Sequence, residues 1–158
     1  MAVLVIDEDA KLPRNRGDKR VLQREVMILN AVRELRPRVP VFLFQLGELV
    51  RNELNEIEIA EALPTTPVLV RAAGTRAEQR TKYAESCFST KGGLALEQEL
   101  DGIAVLVVAG RYHDSCVRAT ICDALAKGYA VLSASTIVAG DAHGPQDWND
   151  DVNLEWYA

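Results

Sequence analysis

Apolar residues along this chain fall into two kinds of run. Short β-branched stretches recur at Ala2–Ile6, Val41–Gln45, Val68–Arg71, Ile103–Ala109 and Tyr129–Ala134. Each has strand length and is apolar on both faces. Between them lie segments with helical spacing. Val21–Arg36 sets Leu22, Val26, Leu29 and Val32 on one face and meets Pro37, which cannot continue a helix. The acidic stretch Glu48–Leu63, ended by Pro64, predicts a second helix, and Leu94–Leu100 a short third. Ser115–Lys127 predicts a fourth, with Val117, Ile121, Ala124 and Leu125 in a stripe and Gly128 at the stop. Strands buried on both faces and alternating with helices predict a parallel sheet covered by helices. Right-handed crossovers then give an α/β fold, a three-layer α/β/α doubly wound (Rossmann-like) mainly parallel sheet of five or six strands. The sixth strand has to come from the segment 134–158 or be missing. No repeat, low-complexity tract or linker divides the chain, so a single domain over 1–158 is expected.

Composition narrows the partners. A hydrophobic share of 48% is enough for a core without disulfide or metal staples. The net charge of −5 removes nucleic acid as the default partner, since a phosphate backbone calls for a basic face. Arg14, Arg16, Lys19 and Arg20 do cluster, but acids interleave them, which reads as a solvated loop. No apolar run reaches membrane-span length and no basic leader with a small-residue cleavage site opens the chain, so a cytoplasmic location without membrane contact is expected. Cys87, Cys116 and Cys122 form no CxxC pair, which argues against a disulfide framework or a zinc site. Trp148, Trp156 and Tyr157 in the tail could cover an apolar contact with a second copy; a homo-oligomer, dimer or tetramer, is expected.

Candidate chemistry begins where the first strand ends. In "VLVIDED", Asp7, Glu8 and Asp9 follow directly on an apolar run, at the strand end where ligands of doubly wound sheets bind. A phosphoreceiver would need a further Asp at a later strand end and a Lys after the last strand. The runs ending at Gln45-Leu46-Gly47 and Arg71-Ala72-Ala73-Gly74 offer no Asp, and Lys127 precedes the last strand, so that reading fails. A divalent metal site lacks histidine partners at ligand spacing, because only His113 and His143 exist; no metal or other cofactor is expected. Cys116 is predicted in the first turn of a helix behind a buried strand. There the helix dipole and unpaired N–H groups would lower its pKa and could hold an oxyanion. Packing of that turn by a small apolar residue is the other reading of the same position. Cys87 and Cys122 read as structural.

Gly110, Cys116-Val117, Ala119-Thr120, Asp123-Ala124 and Gly128-Tyr129 together resemble the nucleophile segment of the isochorismatase-like cysteine hydrolases. A second stretch, with Lys82, Ser86, Phe88, Thr90, Leu94, Leu100 and Gly102, is similar to the family's lysine-bearing segment, and "VLVIDED" resembles its first strand. The resemblance implies a triad of Asp7 as general base, Lys82 as its cationic partner and Cys116 as nucleophile. The substrate would be a small molecule cleaved at an amide-like C–N bond through a thioester. It also implies an oxyanion hole from the Cys116 N–H and a cis-peptide loop at Arg111–Tyr112, with Phe88 and His113 placed against substrate. Departures from the family pattern accompany it. Glu8 and Asp9 replace a hydrophobic residue and Gln, and either carboxylate, if turned toward the thiol, would raise its pKa. The metal-binding Asp-x-His of the nicotinamidase branch is missing from "VFLFQLGELVRNEL", and the middle segment is short. A degenerate, non-catalytic binding or assembly module is therefore the alternative, and a redox sensor pairing Cys87 with Cys116 a third.

Overall fold

The computed structural model describes residues 1–11, 14–51, 57–60, 62–88 and 96–140. Five parallel strands form the main path of one sheet in the order β5-β2-β1-β6-β7, where the elements are β1 Ala2–Ile6, β2 Val41–Leu46, β5 Glu78–Lys82, β6 Val105–Arg111 and β7 Ala130–Leu132. The two-residue β8, Val138–Ala139, pairs with β6 beyond the end of β7 and makes the sixth strand. It comes from the segment following the last predicted strand. The sheet alternates strictly at its centre. Val3 and Val5 face one apolar cluster with Val41, Leu43 and Leu69, while Ala2, Leu4 and Ile6 face the other with Phe42, Phe44, Leu106 and Ile121. Helices α1 (Arg16–Leu35) and α2 (Pro67–Ala73) cover the first face; α3 (Leu96–Glu99) and α4 (Arg118–Ala126) cover the second. The α/β class and its three layers are those the hydrophobic pattern predicts.

Helix α1 starts earlier than its apolar stripe. Asn15 caps it: its side chain accepts the Asp18 N–H at 2.9 Å and the Asp18 carboxylate accepts the Asn15 N–H at 3.1 Å, a reciprocal capping box. The cap lies inside the cluster of basic residues that reads as loop. Two predicted elements change type. Val68–Arg71 is helical, in α2, because Thr66 and Pro67 open a helix whose Leu69, Ala72 and Ala73 are buried at helical spacing. Glu48–Leu63 contains no helix among its described residues; Glu48–Arg51 (β3) and Ile57–Ala60 (β4) pair as an antiparallel two-stranded sheet. The stretch carries both periods, and Ile57 and Ile59 flanking Glu58 follow the strand one. Leu94, at the start of the predicted third helix, and Trp148, Trp156 and Tyr157 of the tail lie outside the described residues.

The strand that replaces Val68–Arg71 in the sheet is β5, "EQRTK", almost wholly polar. Among the described residues it is an edge strand bonded to β2 alone, and such edges tolerate charge that a central strand does not. Its last residue is Lys82. At the other end of the site, Gly110 has φ 130°, and a Cβ there would stand 2.1 Å from the Ile6 carbonyl oxygen. Only glycine lets β6 run this close to β1.

Candidate active site

Three side chains meet beyond the carboxyl ends of β1, β5 and β6. Asp7 follows β1 with φ 55°, a left-handed conformation uncommon for a non-glycine residue. Its backbone N–H still donates to the Phe44 carbonyl at 2.8 Å, and its Oδ1 accepts the Leu46 N–H at 2.8 Å. Lys82 is fully buried. Its Nζ forms an ion pair with Asp7 Oδ2 at 2.9 Å and donates hydrogen bonds to the Ala84 and Glu85 carbonyls at 3.2 and 3.0 Å. Burial of an ammonium is tolerable on these terms, paired with a carboxylate and hydrogen-bonded to two carbonyls.

Cys116 sits on a single π-helical turn, His113–Val117, that joins β6 to α4. Tyr112 precedes the turn with φ 63°, and its carbonyl accepts both the Ser115 and the Val117 N–H at 3.1 Å. The Cys116 thiol is buried and faces Asp7 and Lys82, which act on it through charge and hydrogen bonding. Burial first, then the Asp7 carboxylate, pushes its pKa above the ordinary thiol value, and Lys82 offsets this in part. This corrects the lowered pKa expected of a helix N-terminus: the thiol is buried on a short turn, and the carboxylate beside it adds to the effect of burial. The cis peptide expected at Arg111–Tyr112 is also corrected. All peptides of the described residues are trans, and Tyr112 reverses the chain by adopting the left-handed conformation.

A cleft of about 260 Å³ opens over these groups, lined by Asp7, Asp9, Gln45, Leu46, Leu63, Tyr112, Ser115 and Cys116. Ser115 Oγ lies 3.8 Å from the Cys116 sulfur and donates to Glu85 Oε1 at 3.1 Å. Phe88 is placed elsewhere. It stacks on Tyr129 at a centroid distance of 5.9 Å, under Lys127, as part of the core. The His113 imidazole, 3.9 Å from Asp114 Oδ1, does not line the cleft either. The Arg111 side chain is buried and paired with Asp18 of α1, away from the thiol. Sequence reasoning passed over Gln45; a polar residue in the last buried position of an otherwise apolar strand was its signal.

The two additional carboxylates part company. Glu8 is fully buried beneath the sheet end, where it pairs with Arg14, while Asp9 stays in the cleft lining. Glu8 and Arg14, with Asp18 and Arg111, form a buried ionic cluster around Glu25 of α1. Both Glu25 carboxyl oxygens lack a hydrogen-bond partner, and burial, then repulsion from Glu8, holds its pKa well above the carboxylate range. Burial likewise raises Glu8. The Cys87 thiol, pushed up to about 12 by burial, accepts no reactive role by that measure. Among the described residues no three His, Cys, Asp or Glu side chains are grouped as metal ligands.

The family model of the isochorismatase domain matches residues 2–148. The chain belongs to the isochorismatase family. Isochorismatase-family solved structures share its fold at low identity. N-carbamoylsarcosine amidase from Thermoplasma acidophilum superposes with a TM-score of 0.69 at 18% identity, over 89% of this chain and 84% of that one. The nicotinamidase/pyrazinamidase of Bacillus subtilis gives 0.67 at 19% identity, over 88% and 86%. An isochorismatase-like hydrolase from Alkaliphilus metalliredigens gives 0.71 at 22% identity, over 92% and 83%. No curated protein matches the sequence. Isochorismatase-family hydrolases include amidases and nicotinamidases, and amidohydrolases are among the structural neighbours. Among the described residues, no helix is long and apolar enough to cross a membrane.

Proposed function

We propose that the chain is a cysteine-dependent hydrolase of a small molecule, cleaving an amide-like C–N bond with Cys116 as nucleophile, Asp7 as general base and Lys82 as the cation paired with Asp7. The observation that carries this reading is the convergence of a buried thiol with a buried carboxylate–ammonium pair on the floor of a cleft.

The resting thiol is protonated, so the reaction begins with a proton transfer. Asp7 takes the Cys116 proton as the sulfur attacks the carbonyl carbon. The Cys116 backbone N–H stabilises the oxyanion that develops. Collapse of the tetrahedral species breaks the C–N bond, and Asp7 returns its proton to the departing nitrogen, leaving a thioester and free ammonia or amine. Water then attacks the thioester with Asp7 again accepting a proton. The sulfur leaves and recovers that proton, so the products are the carboxylic acid and the restored thiol. Lys82, held by the Ala84 and Glu85 carbonyls, works as a fixed charge; it lowers the cost of the buried carboxylate and of negative charge passing between oxygen and sulfur.

Ammonia release from a panel of small primary amides, compared with the Cys116→Ala variant, tests the reading. The expected result is turnover by the wild type, loss by at least about a hundredfold in the variant, and a hydroxamate product when hydroxylamine intercepts the thioester. Equal rates for both proteins, or no turnover of any amide and no acyl adduct on Cys116, would overturn it.

A further inference from the structure

We propose that Asp9 is the specificity-determining residue of the cleft and selects a substrate whose scissile amide is joined by a short linker to a cationic group, an ammonium or a guanidinium. This rests on the hydrolase reading and deepens it, because it concerns what the cleft admits rather than how Cys116 reacts.

Asp9 is fixed in place. It forms an isolated antiparallel bridge with Thr65, flanked by Thr66 N–H to the Glu8 carbonyl at 2.8 Å and Ala10 N–H to the Pro64 carbonyl at 3.0 Å. Only 7% of it is exposed, yet it lines the cleft. One carboxylate oxygen accepts the Lys11 N–H at 2.6 Å, a neutral donor. No described cation answers its charge. Arg14 places one nitrogen on the Glu8 carboxylate and another on the Asp9 backbone carbonyl at 3.0 Å, leaving the Asp9 carboxylate aside. Lys82 is committed to Asp7 and two carbonyls.

The remaining lining agrees in sign. Asp7 and Lys82 neutralise one another, so Asp9 sets the net charge of the described lining, which holds no Lys, Arg or His. Gln45 Nε2 donates to Thr65 Oγ1 at 3.0 Å, which leaves the Gln45 carbonyl oxygen as a second acceptor. A half-enclosed carboxylate with a free acceptor beside it is matched by a ligand that brings hydrogen-bond donors and positive charge. An anionic substrate meets an uncompensated like charge instead. The apolar part of the lining, Leu46 and Leu63, suits a short aliphatic linker, and the cleft has room for only a small molecule.

Two measurements test this in a Cys122→Ser background, which removes the exposed thiol of α4. The first compares matched amides of similar length: β-alaninamide (cationic), butyramide (neutral) and succinamate (anionic). The cationic amide is expected to have kcat/KM at least about tenfold above the neutral one, roughly the factor that 1.4 kcal/mol of charge attraction supplies. Asp9→Asn should abolish that preference, raising KM for the cationic amide by a much larger factor than for butyramide. The second modifies Cys116 with cationic trimethylammonium-ethyl, neutral methyl and anionic sulfonatoethyl methanethiosulfonate. The cationic-to-anionic rate ratio should exceed that for free cysteine and collapse in Asp9→Asn. Turnover of all three amides without charge preference, with a reagent ratio indifferent to Asp9→Asn, would overturn this inference and leave the hydrolase reading standing. No turnover together with an unreactive Cys116 would overturn both.

Discussion

Lys82, at the end of β5, reaches past the end of β2 to bring its ammonium within 2.9 Å of the Asp7 carboxylate at the end of β1. Both side chains are almost wholly removed from solvent. Removing one partner of such a pair leaves an uncompensated charge in the interior. Lys82→Met, which keeps length and apolar volume, should lower the unfolding free energy in urea by about 3–5 kcal/mol. Adding Asp7→Asn should restore much of it. A double variant no more stable than Lys82→Met would mean that the lysine acts on stability through something other than this carboxylate.

Asp7 has opposite effects on the acidity of Cys116 and on its use. Its charge and hydrogen bond raise the thiol pKa, so Asp7→Asn should lower that pKa and speed alkylation by iodoacetamide near pH 8. Amide turnover should nonetheless fall by about 10²–10⁴-fold, the usual contribution of a general base. Lys82→Met should shift the alkylation profile to higher pH, because the cation that favours thiolate is gone. A pH–rate profile of alkylation in the Cys122→Ser background reads both shifts. An unchanged profile in Asp7→Asn would separate the carboxylate from the thiol.

Glu25 predicts a pH dependence of stability. Its pKa is well above the ordinary 4.5 in the folded chain, so the folded state holds a proton that the unfolded state releases. The stabilisation linked to that proton is complete below pH 4.5 and is lost as pH rises toward the folded value. The charged groups around it are Glu8, Asp18, Arg14 and Arg111, together with the Gly110 backbone. Glu25→Gln keeps the shape without the titration and should flatten the fall in Tm between pH 5 and pH 8. Parallel Tm curves for the two proteins would place the dependence on another group.

Gly110→Ala should be among the most damaging single-methyl changes in the chain. The added carbon meets the Ile6 backbone at 2.1 Å, and neither strand can yield without breaking the β1–β6 register. A loss above about 4 kcal/mol, or failure to fold, is expected. Circular dichroism and thermal melts check it, with Gly102→Ala, which has left-handed backbone strain (φ 73°) but meets nothing within 4 Å, as the milder contrast.

The parts of this fold legible in sequence were those where one pattern acts alone. The buried run of β1, the stripe of α1 and the stripe and glycine stop of α4 have no competing signal, and the structure has each of them. Strand β5 was invisible because an edge strand of Glu, Gln, Arg, Thr and Lys carries no apolar period. Val68–Arg71 misled because four β-branched-rich residues fit a strand or a buried helical turn equally well, and Thr66-Pro67 decided between them. In the site, Asp7, Lys82 and Cys116 could be named from spaced motifs, and the structure brings these three together. Phe88 followed from the same motifs but packs in the core. Arg14, Asp18 and Glu25 could not be placed there from sequence, since that depends on which side chains the crossovers bring under the sheet end, whereas Gln45 was marked by a polar residue closing an apolar strand.

The position of Lys82 on the outermost strand divides the site by mechanical strength. Asp7 and Cys116 flank the two central strands, β1 and β6, which are bonded on both sides, whereas among the described residues β5 is held along one side alone. Local opening favours such margins over the sheet centre. When β5 peels from β2, the ammonium departs with it and the thiol is left facing an unbalanced carboxylate. Amide exchange along 78–82 therefore also times how long the site stays assembled, in a chain whose central strands remain folded throughout.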